Sequence, residues 1–447
     1  MGKKPPGSTR IVFAGLQHQA TRYLFHRSVG TRPLHAVGEN AALGSSNSFT
    51  ESGELWCMSA IVFLVFYGNY MIAPLVPALA QGFGVHATSL KWLVPGFSLL
   101  YGTATLFYGI LSDRFGRYLI LKILLALATA TSLLFSYAMS AHQLVSLRLL
   151  SAAGTGGIAT IALSIIGDHY PYAVQGRPMG QLFGAIGAGM GLGSSLGPLL
   201  SPLIGWRNEV RFISLGFALS FLWVALRYNK HEHLRTKRAS LWAYALEYRS
   251  ILEAPRGGRT FAFIFANGAF HGGVFAWLGV FLASRYHLSE IGIGLVLAGY
   301  GLPDLLLAAA IGSLGDRFGR RFVVPAGILW SSICGVLLAL HSNPLFSALI
   351  ITALSAGFAA THPLMSSITT SLDPKHRGQI TGLATFANFA GMGIGALVFH
   401  RLMKPQFGIA LVCFGAFEFA IGLLAAFVFR AEGPKMTEHS GLNQPKV

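Results

Sequence analysis

The chain has 447 residues, of which 53% are hydrophobic and only 11% are charged, whereas soluble proteins carry about 25% charged residues. Its apolar residues fall in runs of about 20, the length that a helix needs to cross a bilayer core of about 30 Å, which excludes a soluble globular protein. The net charge of +17 fits basic cytoplasmic loops that meet anionic lipid. Because no aromatic–basic module accompanies that charge, nucleic acid is excluded as a partner.

Residues 1–54 precede the first apolar run and form a basic leader. They hold four arginines and no acid before Glu39, a composition that targeting peptides share. The interpretation that we favour is a disordered N-terminal cytoplasmic tail, or a leader added by an upstream start codon, with Met58 as one alternative start.

Twelve apolar segments follow, each long enough to cross a membrane as a helix. They lie at residues 55–80, 91–111, 118–140, 142–167, 178–200, 207–227, 260–284, 290–312, 322–341, 344–371, 379–402 and 407–430. A basic cytoplasmic linker at 228–259 separates an N half (55–227) from a C half (260–430), and a cytoplasmic tail follows at 431–447. The sequence therefore predicts an all-α membrane protein with twelve transmembrane helices in two six-helix halves.

Lysine and arginine are distributed unequally between the two sides of the predicted membrane. With the N-terminus inside, the inside loops and the C-terminal tail hold 20 of these residues and the N-terminal tail holds six more, whereas the outside loops hold six. Since cytoplasmic loops carry the excess of basic residues, both termini are predicted to be cytoplasmic.

One short sequence occurs twice. Residues 109–117, ending in Ser-Asp-Arg-Phe-Gly-Arg, return at 312–320 as a segment ending in Gly-Asp-Arg-Phe-Gly-Arg. The Gly-Met-Gly-Leu-Gly of 189–193 returns in the same way as Gly-Met-Gly-Ile-Gly at 391–395. Because each half has an even number of helices, both halves enter the membrane from the same side and are parallel repeats.

Each copy of the charged turn lies at the cytoplasmic mouth of a span. Its glycines permit close backbone approach and a tight turn, and its acid can pair with nearby arginines or a helix N-terminus. A static loop would explain one copy, but two copies at matched positions favour turns that hold one conformation and release in another. The predicted switch residues are Gly109, Asp113, Arg114, Gly116, Arg117, Gly312, Asp316, Arg317, Gly319 and Arg320.

At these turns the chain resembles the major facilitator superfamily, whose signature between the second and third helices is Gly-x-Leu-Ala/Ser-Asp-Arg-x-Gly-Arg-Arg/Lys. Tyr118 replaces the final basic residue in the first copy, and the second copy has Arg321 there but Gly315 in place of Ala/Ser. The resemblance covers residues 55–430. It implies the major facilitator fold and transport of a small molecule by alternating access, with no enzymatic activity.

A second motif lies in the fifth span, where Gly193, Gly197 and Pro198 match the Gly-x-x-x-Gly-Pro antiporter motif of drug:proton exporters in this superfamily. Small residues four apart let two helices touch backbone to backbone, and the proline permits a kink. Plain small-residue packing is the alternative. The same segment formally contains a nucleophile elbow around Ser195, which we reject because that motif requires a strand–turn–helix.

Arg148, which opens the fourth span, resembles an exporter motif that the family links to proton transfer. The usual Gln-Gly after the arginine is replaced here by Ser151-Ala152. A buried arginine costs about 2.5–3.5 kcal/mol on insertion scales, so it requires a partner or a wet cavity. The alternative is an arginine that extends to the outer membrane surface.

Three further groups are candidates for proton coupling or substrate binding. Asp304 follows Pro303 in a span broken by glycine and proline, and it is the leading proton-coupling candidate, with a structural acid as the alternative. His271, in the seventh span, could titrate near neutrality or be a hydrogen-bonded core group. Glu418, deep in the twelfth span, is a cavity candidate together with Tyr300.

Asn69 completes the cavity candidates. Related exporters often carry an acid in the first span, where this chain has the neutral Asn69. Recognition of a cation by a first-span carboxylate is therefore not available. The abundant phenylalanine and tyrosine residues would suit amphiphilic or aromatic substrates.

Together these features predict a secondary transporter that exports a small organic compound or drug in exchange for protons, acting as a monomer in the bacterial inner membrane. The exporter-like motif of the fifth span favours export over the alternative of a proton-coupled importer of a small metabolite. The intact charged turns argue against a transport-silent receptor or scaffold. Substrate, protons and the lipid bilayer are the expected partners, and no cofactor or metal is expected.

Overall fold

The computed structural model describes residues 35–170, 176–228, 241–340, 343–372 and 377–432, so parts of the predicted tails and linker lie outside it. The described helices are α1 (His35–Tyr70), α2 (Ile72–Gly82), α3 (Pro95–Phe115), α4 (Arg117–Ser136), α5 (Ala141–Thr155), α6 (Ile158–His169), α7 (Gly176–Ile204), α8 (Trp206–Arg227), α9 (Leu241–Glu253), α10 (Pro255–Tyr286), α11 (Glu290–Leu297), α12 (Leu302–Phe318), α13 (Arg320–Leu340), α14 (Pro344–Thr370), α15 (Arg377–Leu402) and α16 (Phe407–Val428). The chain forms two compact units, Met1–Glu54 and Leu55–Val447, and the contacts below belong to the second.

The predicted spans coincide with these helices. By length and composition, ten helices of the described part could cross a membrane, or eleven if the bent pair Gly53–Tyr70 and Ile72–Gly82 is one span. The eighth predicted span consists of α11 and α12, which are too short individually to reach that length. Each of the twelve predicted segments thus falls on one helix or on a broken pair of helices.

Two of the spans are broken for the same chemical reason. The first bends by 47° between α1 and α2, and Pro74 stands four residues after Tyr70, the last residue of α1. The eighth is interrupted at 298–301, and Pro303 stands four residues after Gly299. A proline lacks the N–H that would bond the carbonyl four residues back, and its ring crowds that carbonyl, so a helix breaks there.

Glycines end the helices at both charged turns. Gly116 follows α3 with a φ of 96°, and Gly319 follows α12 with a φ of 82°. Residues other than glycine rarely adopt this region without strain. The next helix begins at the following residue in each case, so each charged sequence forms a one-residue joint between two long helices. We call the end of the molecule that carries these joints the turn end.

The duplicated glycine motif makes contacts both within its own half and with the other half. On α7, a Cβ added to Gly193 would lie 2.5 Å from the carbonyl oxygen of Tyr67 in α1, and one on Gly197 would lie 2.8 Å from Cβ of Met71. A Cβ on Gly191 would instead lie 2.6 Å from Cα of Gly301, in the break of the eighth span. The helix therefore has one glycine face against its own half and another against the C half.

The second copy repeats this arrangement in α15. Gly395 lies against the backbone of Ala269 in α10, the first helix of the C half, and a Cβ on Gly393 would lie 2.6 Å from Cγ of Leu99 in α3. The outer glycines of each motif thus contact the first helix of the same half, whereas the middle glycine contacts the other half.

The two halves pack closely at the end opposite the turn end. There, a Cβ on Gly279 of α10 would lie 2.8 Å from Cα of Pro74 in α2. Toward the turn end, the face of α7 that carries Gly191 continues through Gly184, seven residues earlier, because seven residues make about two helical turns. A Cβ on Gly184 would meet no described atom within 4 Å. Gly184 therefore has no neighbour among the described atoms of the C half, whereas Thr105 of α3 donates to the carbonyl of Gly382 in α15 at 3.3 Å, so the halves also touch toward the turn end.

Candidate functional site

At the first charged turn, Arg117 pairs with two acids. Its Nη2 lies 2.9 Å from Oδ2 of Asp168 and 3.7 Å from Oδ1 of Asp113. Asp168 lies in the last turn of α6, so the cluster ties the joint between α3 and α4 to the fourth span. Sequence analysis did not select Asp168, although an acid at the end of a span on the same side as the turns was a usable signal.

Tyr118 explains how the first turn departs from the family signature. Its ring stacks on that of Tyr228 at a centroid distance of 4.1 Å and an interplanar angle of 10°, and Lys122 Nζ donates to the carbonyl oxygen of Tyr228 at 3.3 Å. The aromatic residue in place of a basic one therefore joins the start of α4 to the end of α8.

A buried cluster around Glu432 lies beside the second charged turn. Glu432, which is 8% exposed, accepts from Arg256 at 2.9 and 3.0 Å and lies 3.8 Å from Arg259, while its carbonyl accepts from the N–H of Arg321 at 3.1 Å. The cluster joins the starts of α10 and α13 to the segment after α16. Sequence analysis assigned its members to the linker and the tail, and their spacing carried no signal of this contact. Gly312 and Asp316 lie within α12, but the side chain of Asp316 is outside the described part.

Both turns share a smaller feature. The guanidinium of Arg114 lies 5.3 Å from the ring centre of Phe115, and that of Arg317 lies 5.3 Å from the ring centre of Phe318. The equivalent arginines therefore adopt equivalent positions beside the aromatic residue that ends each helix, within range of a cation–π contact.

Arg148 is buried beside the break in the first span. It is 7% exposed, and its Nη2 and Nη1 donate to the carbonyls of Asn69 and Gly68 at 3.1 and 3.4 Å. These carbonyls are near the end of α1, where helical partners run out. The guanidinium also lies 3.7 Å from the ring centre of Phe97. The side chain thus points inward rather than to the membrane surface, and it is brought together with the cavity candidate Asn69.

A small cavity of about 30 Å³ adjoins this contact. Its polar lining comes from Asn69, Ser132, Arg148, Ser151 and Thr155. The amide nitrogen of Asn69 and the Nε of Arg148 have no hydrogen-bond partner among the described residues. A polar space of this size can hold water that satisfies both donors.

A buried acid, Glu209, also contacts α1 just before the break. Its Oε1 accepts from the hydroxyl of Tyr67 at 2.6 Å, its side chain is only 3% exposed, and Oε2 has no partner among the described residues. Sequence analysis passed over this acid because it lies in the first turn of α8, close to the predicted end of the span.

The C-half candidates occupy a separate region. His271 is 3% exposed, and neither ring nitrogen has a hydrogen-bond partner among the described residues. Its ring centre lies 4.8 Å from that of Phe358, which packs at 5.1 Å on His362. His362 was not selected from the sequence. The structure therefore places a second imidazole near His271, one aromatic ring away.

Tyr300 belongs to an aromatic row that crosses between the halves. Its ring centre lies 4.7 Å from that of Phe275 in α10, which in turn lies 5.0 Å from that of Tyr70 at the end of α1. Glu418 is fully buried in α16, and neither carboxyl oxygen has a partner among the described residues. Asp304 lies within α12, but its side chain is outside the described part.

Comparisons with known proteins identify the family and the fold. Residues 58–292 and 261–446 match the sequence model of the Major Facilitator Superfamily. The chain belongs to that superfamily. The predicted family and fold class are therefore confirmed, and this facilitator is an integral membrane protein of a transporter family.

Several relatives of this facilitator are similar over most of their length. The MFS-type transporter YwfA of Bacillus subtilis is 25% identical over 369 residues, which make up 80% of this chain and 85% of that protein. The multi-drug resistance efflux pump PmrA homolog of Lactococcus lactis is 24% identical over 342 residues, covering 73% and 82%. Among solved structures, the human organic anion transporter MFSD10 aligns with a TM-score of 0.66 at 16% identity, over 85% of this facilitator and 99% of that chain.

Proposed function

We propose that this facilitator is a proton-coupled exporter of a small organic compound. The observation that carries the proposal is the position of the exporter-like motif: Gly193 and Gly197 lie against α1 and the residue that follows it, at the break of the first span. The opposite face of α7 lies against the break of the eighth span, which carries Asp304. One helix therefore contacts the proline-broken first and eighth spans, and discontinuous helices of this kind form substrate and ion sites in transporters.

The direction of the opening supports export. With both termini cytoplasmic, as the distribution of basic residues predicts, the turn end faces the cytoplasm. The halves are packed at the opposite end, where Gly279 lies against Pro74, and no described atom covers Gly184 on the side of the turn end. A monomer in this conformation, in a bacterial inner membrane, would accept its substrate from the cytoplasm. A relative named as an efflux pump is consistent with that direction.

The chemistry of the broken spans favours neutral or anionic aromatic substrates. The first span has the neutral Asn69 and an aromatic row from Tyr70 through Phe275 to Tyr300, and the buried cation Arg148 lies beside it. Aromatic walls with a few placed polar groups suit such ligands. Asp304 would carry the coupling proton, with His271 and Arg148 as the next candidates.

The test is substrate-induced proton movement in proteoliposomes, using a panel of fluorescent aromatic compounds that includes riboflavin and ethidium. We expect wild type to move protons against the flux of a transported compound, and Asp304→Asn to lose this coupling by at least tenfold. Glu253→Gln, an exposed acid on α9, is the control and should behave as wild type. Protons that move in the same direction as the compound would contradict export, and coupling that persists in Asp304→Asn would exclude Asp304.

A further inference from the structure

The bond between Tyr67 and Glu209 is short and buried. Its length of 2.6 Å lies in the range of about 2.5–2.7 Å that is typical when a hydroxyl donates to an ionised carboxylate, and such bonds are roughly twice as strong as neutral ones. The second oxygen, Oε2, has no partner among the described residues. The carboxyl therefore has one strong bond and one open position at which a proton could bind.

We propose that Glu209 is a proton-binding residue whose charge state sets the break in the first span. This inference rests on the proposed proton-coupled transport and adds a site to it. In the ionised form, Glu209 holds Tyr67, while Arg148 holds the carbonyls of Gly68 and Asn69 in the next two residues. Three consecutive residues just before the break are thus fixed by two charged side chains from α8 and α5.

The break between α1 and α2, which we call the hinge, adjoins the packed end of the molecule. α2 begins directly after the break, and its residues Ala73 and Pro74 lie against Gly279 of α10. Tyr70, the last residue of α1, packs on Phe275 of the same helix. A proton on Glu209 removes the charge from its bond to Tyr67, so the hinge is held less tightly and α2 can move away from α10. Proton binding therefore favours opening at the end opposite the turn end.

Few other charged groups surround Glu209. Tyr67 is the titratable group that α1 directs toward it, α2 carries no titratable residue, and Arg148 of α5 lines a cavity that the neighbouring Val210 also lines. Two arginines on α8 bind the end of α4, since Arg207 donates to the carbonyl of Ala138 and Arg211 donates to Ser136. Within the described part, the other charged or titratable residues on these helices are the following: Glu54, Cys57 and Tyr70 on the Gly53–Tyr70 part of α1, the exposed His142 on α5, Arg227 at the end of α8, and Arg117, Tyr118, Lys122 and Arg177 at the turn end of α4 and α7.

The test measures how accessible the packed end is to a reagent in water, and it needs no substrate. Ala73, which is 1% exposed, is replaced by cysteine in the full chain with Cys57, Cys334 and Cys413 changed to serine. The alkylation rate by a membrane-impermeant maleimide is measured in proteoliposomes from pH 8.5 to 5.5. Met139→Cys in the same background, at a site 86% exposed, corrects for the pH dependence of the thiol itself.

We expect the corrected rate at Ala73→Cys to rise at least fivefold as the pH falls. Glu209→Gln should give a high rate that does not depend on pH, and Tyr67→Phe should raise the rate at high pH and reduce the pH response by at least half. Glu290→Gln, an acid in the first turn of α11 at the same end, is the matched control and should retain the full response.

An unchanged pH response in Glu209→Gln overturns the proposal. If that variant fails to fold, Tyr67→Phe decides, since an unchanged pH profile there also overturns it. The outcome is separate from the proposed function. Wild type that moves no protons with any compound contradicts proton-coupled transport. Wild type that moves protons, while Glu209→Gln keeps the pH response of the alkylation rate at Ala73→Cys, contradicts only the role of Glu209.

Discussion

Arg148 shows how one buried side chain can stabilise an irregular backbone inside a membrane. A break in a spanning helix leaves carbonyls without partners, and lipid offers no water to replace them. Arg148 supplies two donors to the carbonyls of Gly68 and Asn69, and the ring of Phe97 covers its guanidinium. The first-span break and the arginine of the fourth span are thus parts of one feature.

Replacing Arg148 should therefore destabilise the protein through the first span. Arg148→Met removes both donors, and we expect a cost of about 1–3 kcal/mol for each carbonyl left without a partner. Arg148→Lys keeps the charge but loses the planar fork, so its loss should be smaller. Thermal unfolding in detergent measures both. Arg401→Gln, exposed near the end of α15, should unfold as wild type does, and an equal effect there would contradict the prediction.

The residues that could be predicted from the sequence are those whose signal is local. The charged turns repeat, Arg148 is conspicuous in an apolar span, and Asn69 occupies a position where related exporters carry an acid. Glu209 and Glu432 gave no such signal, because each acts through a partner on another helix, and the weaker signal of Asp168, an acid at the end of a span on the side of the turns, was not used. Tyr67 and Glu209 are 142 residues apart, and Arg256 and Glu432 are 176 apart. Pairings of this kind depend on how helices pack, which the pattern of one chain does not specify.

At the scale of single helices, α7 shows why its glycines are spaced as they are. Residues four apart lie on one face of a helix, so Gly193 and Gly197 contact Tyr67 and Met71, which are also four apart. Gly191 lies on the other face, and Gly184 continues that face toward the turn end. The antiporter-like motif is therefore also a packing motif, and the two interpretations of the sequence are compatible.

The two faces of α7 predict opposite effects for the same substitution. Gly193→Val forces a side chain into the backbone of Tyr67, and we expect a loss of about 1–3 kcal/mol in stability. A Cβ on Gly184 meets no described atom within 4 Å, so Gly184→Val should leave stability unchanged. It should nevertheless reduce transport severalfold, because this face must close when the opposite end opens. Thermal unfolding and transport assays separate the two effects, and normal transport by Gly184→Val would contradict the prediction.

At the scale of the whole molecule, the ion pairs that the structure describes beside the two charged turns differ in their exposure. In the N half, Arg117 pairs with Asp168, whose side chain is 47% exposed. In the C half, the buried Glu432 accepts two hydrogen bonds from Arg256. An exposed pair forms and breaks at little cost, whereas a buried pair with several hydrogen bonds is costly to break. The N-half joint is thus suited to switching and the C-half joint to holding its helices together.

Neutralising one acid in each cluster should reveal this difference. We expect Asp168→Asn to change stability by less than about 1 kcal/mol but to alter the transport rate. Glu432→Gln should cost about 1.5–3 kcal/mol, the value of hydrogen bonds to a charged group. Thermal unfolding of the two variants, measured side by side, checks the order. Equal losses would show that the two joints have the same role.

The contact between Gly191 and Gly301 has a mechanical consequence. It joins the halves near the middle of α7 through two residues without side chains, so no side chains of these two residues interdigitate. A rotation of one half relative to the other about this contact would close the turn end as the opposite end opens. Two glycines at this contact are therefore suited to a change in the angle between the halves, because no side chains there would have to separate and repack.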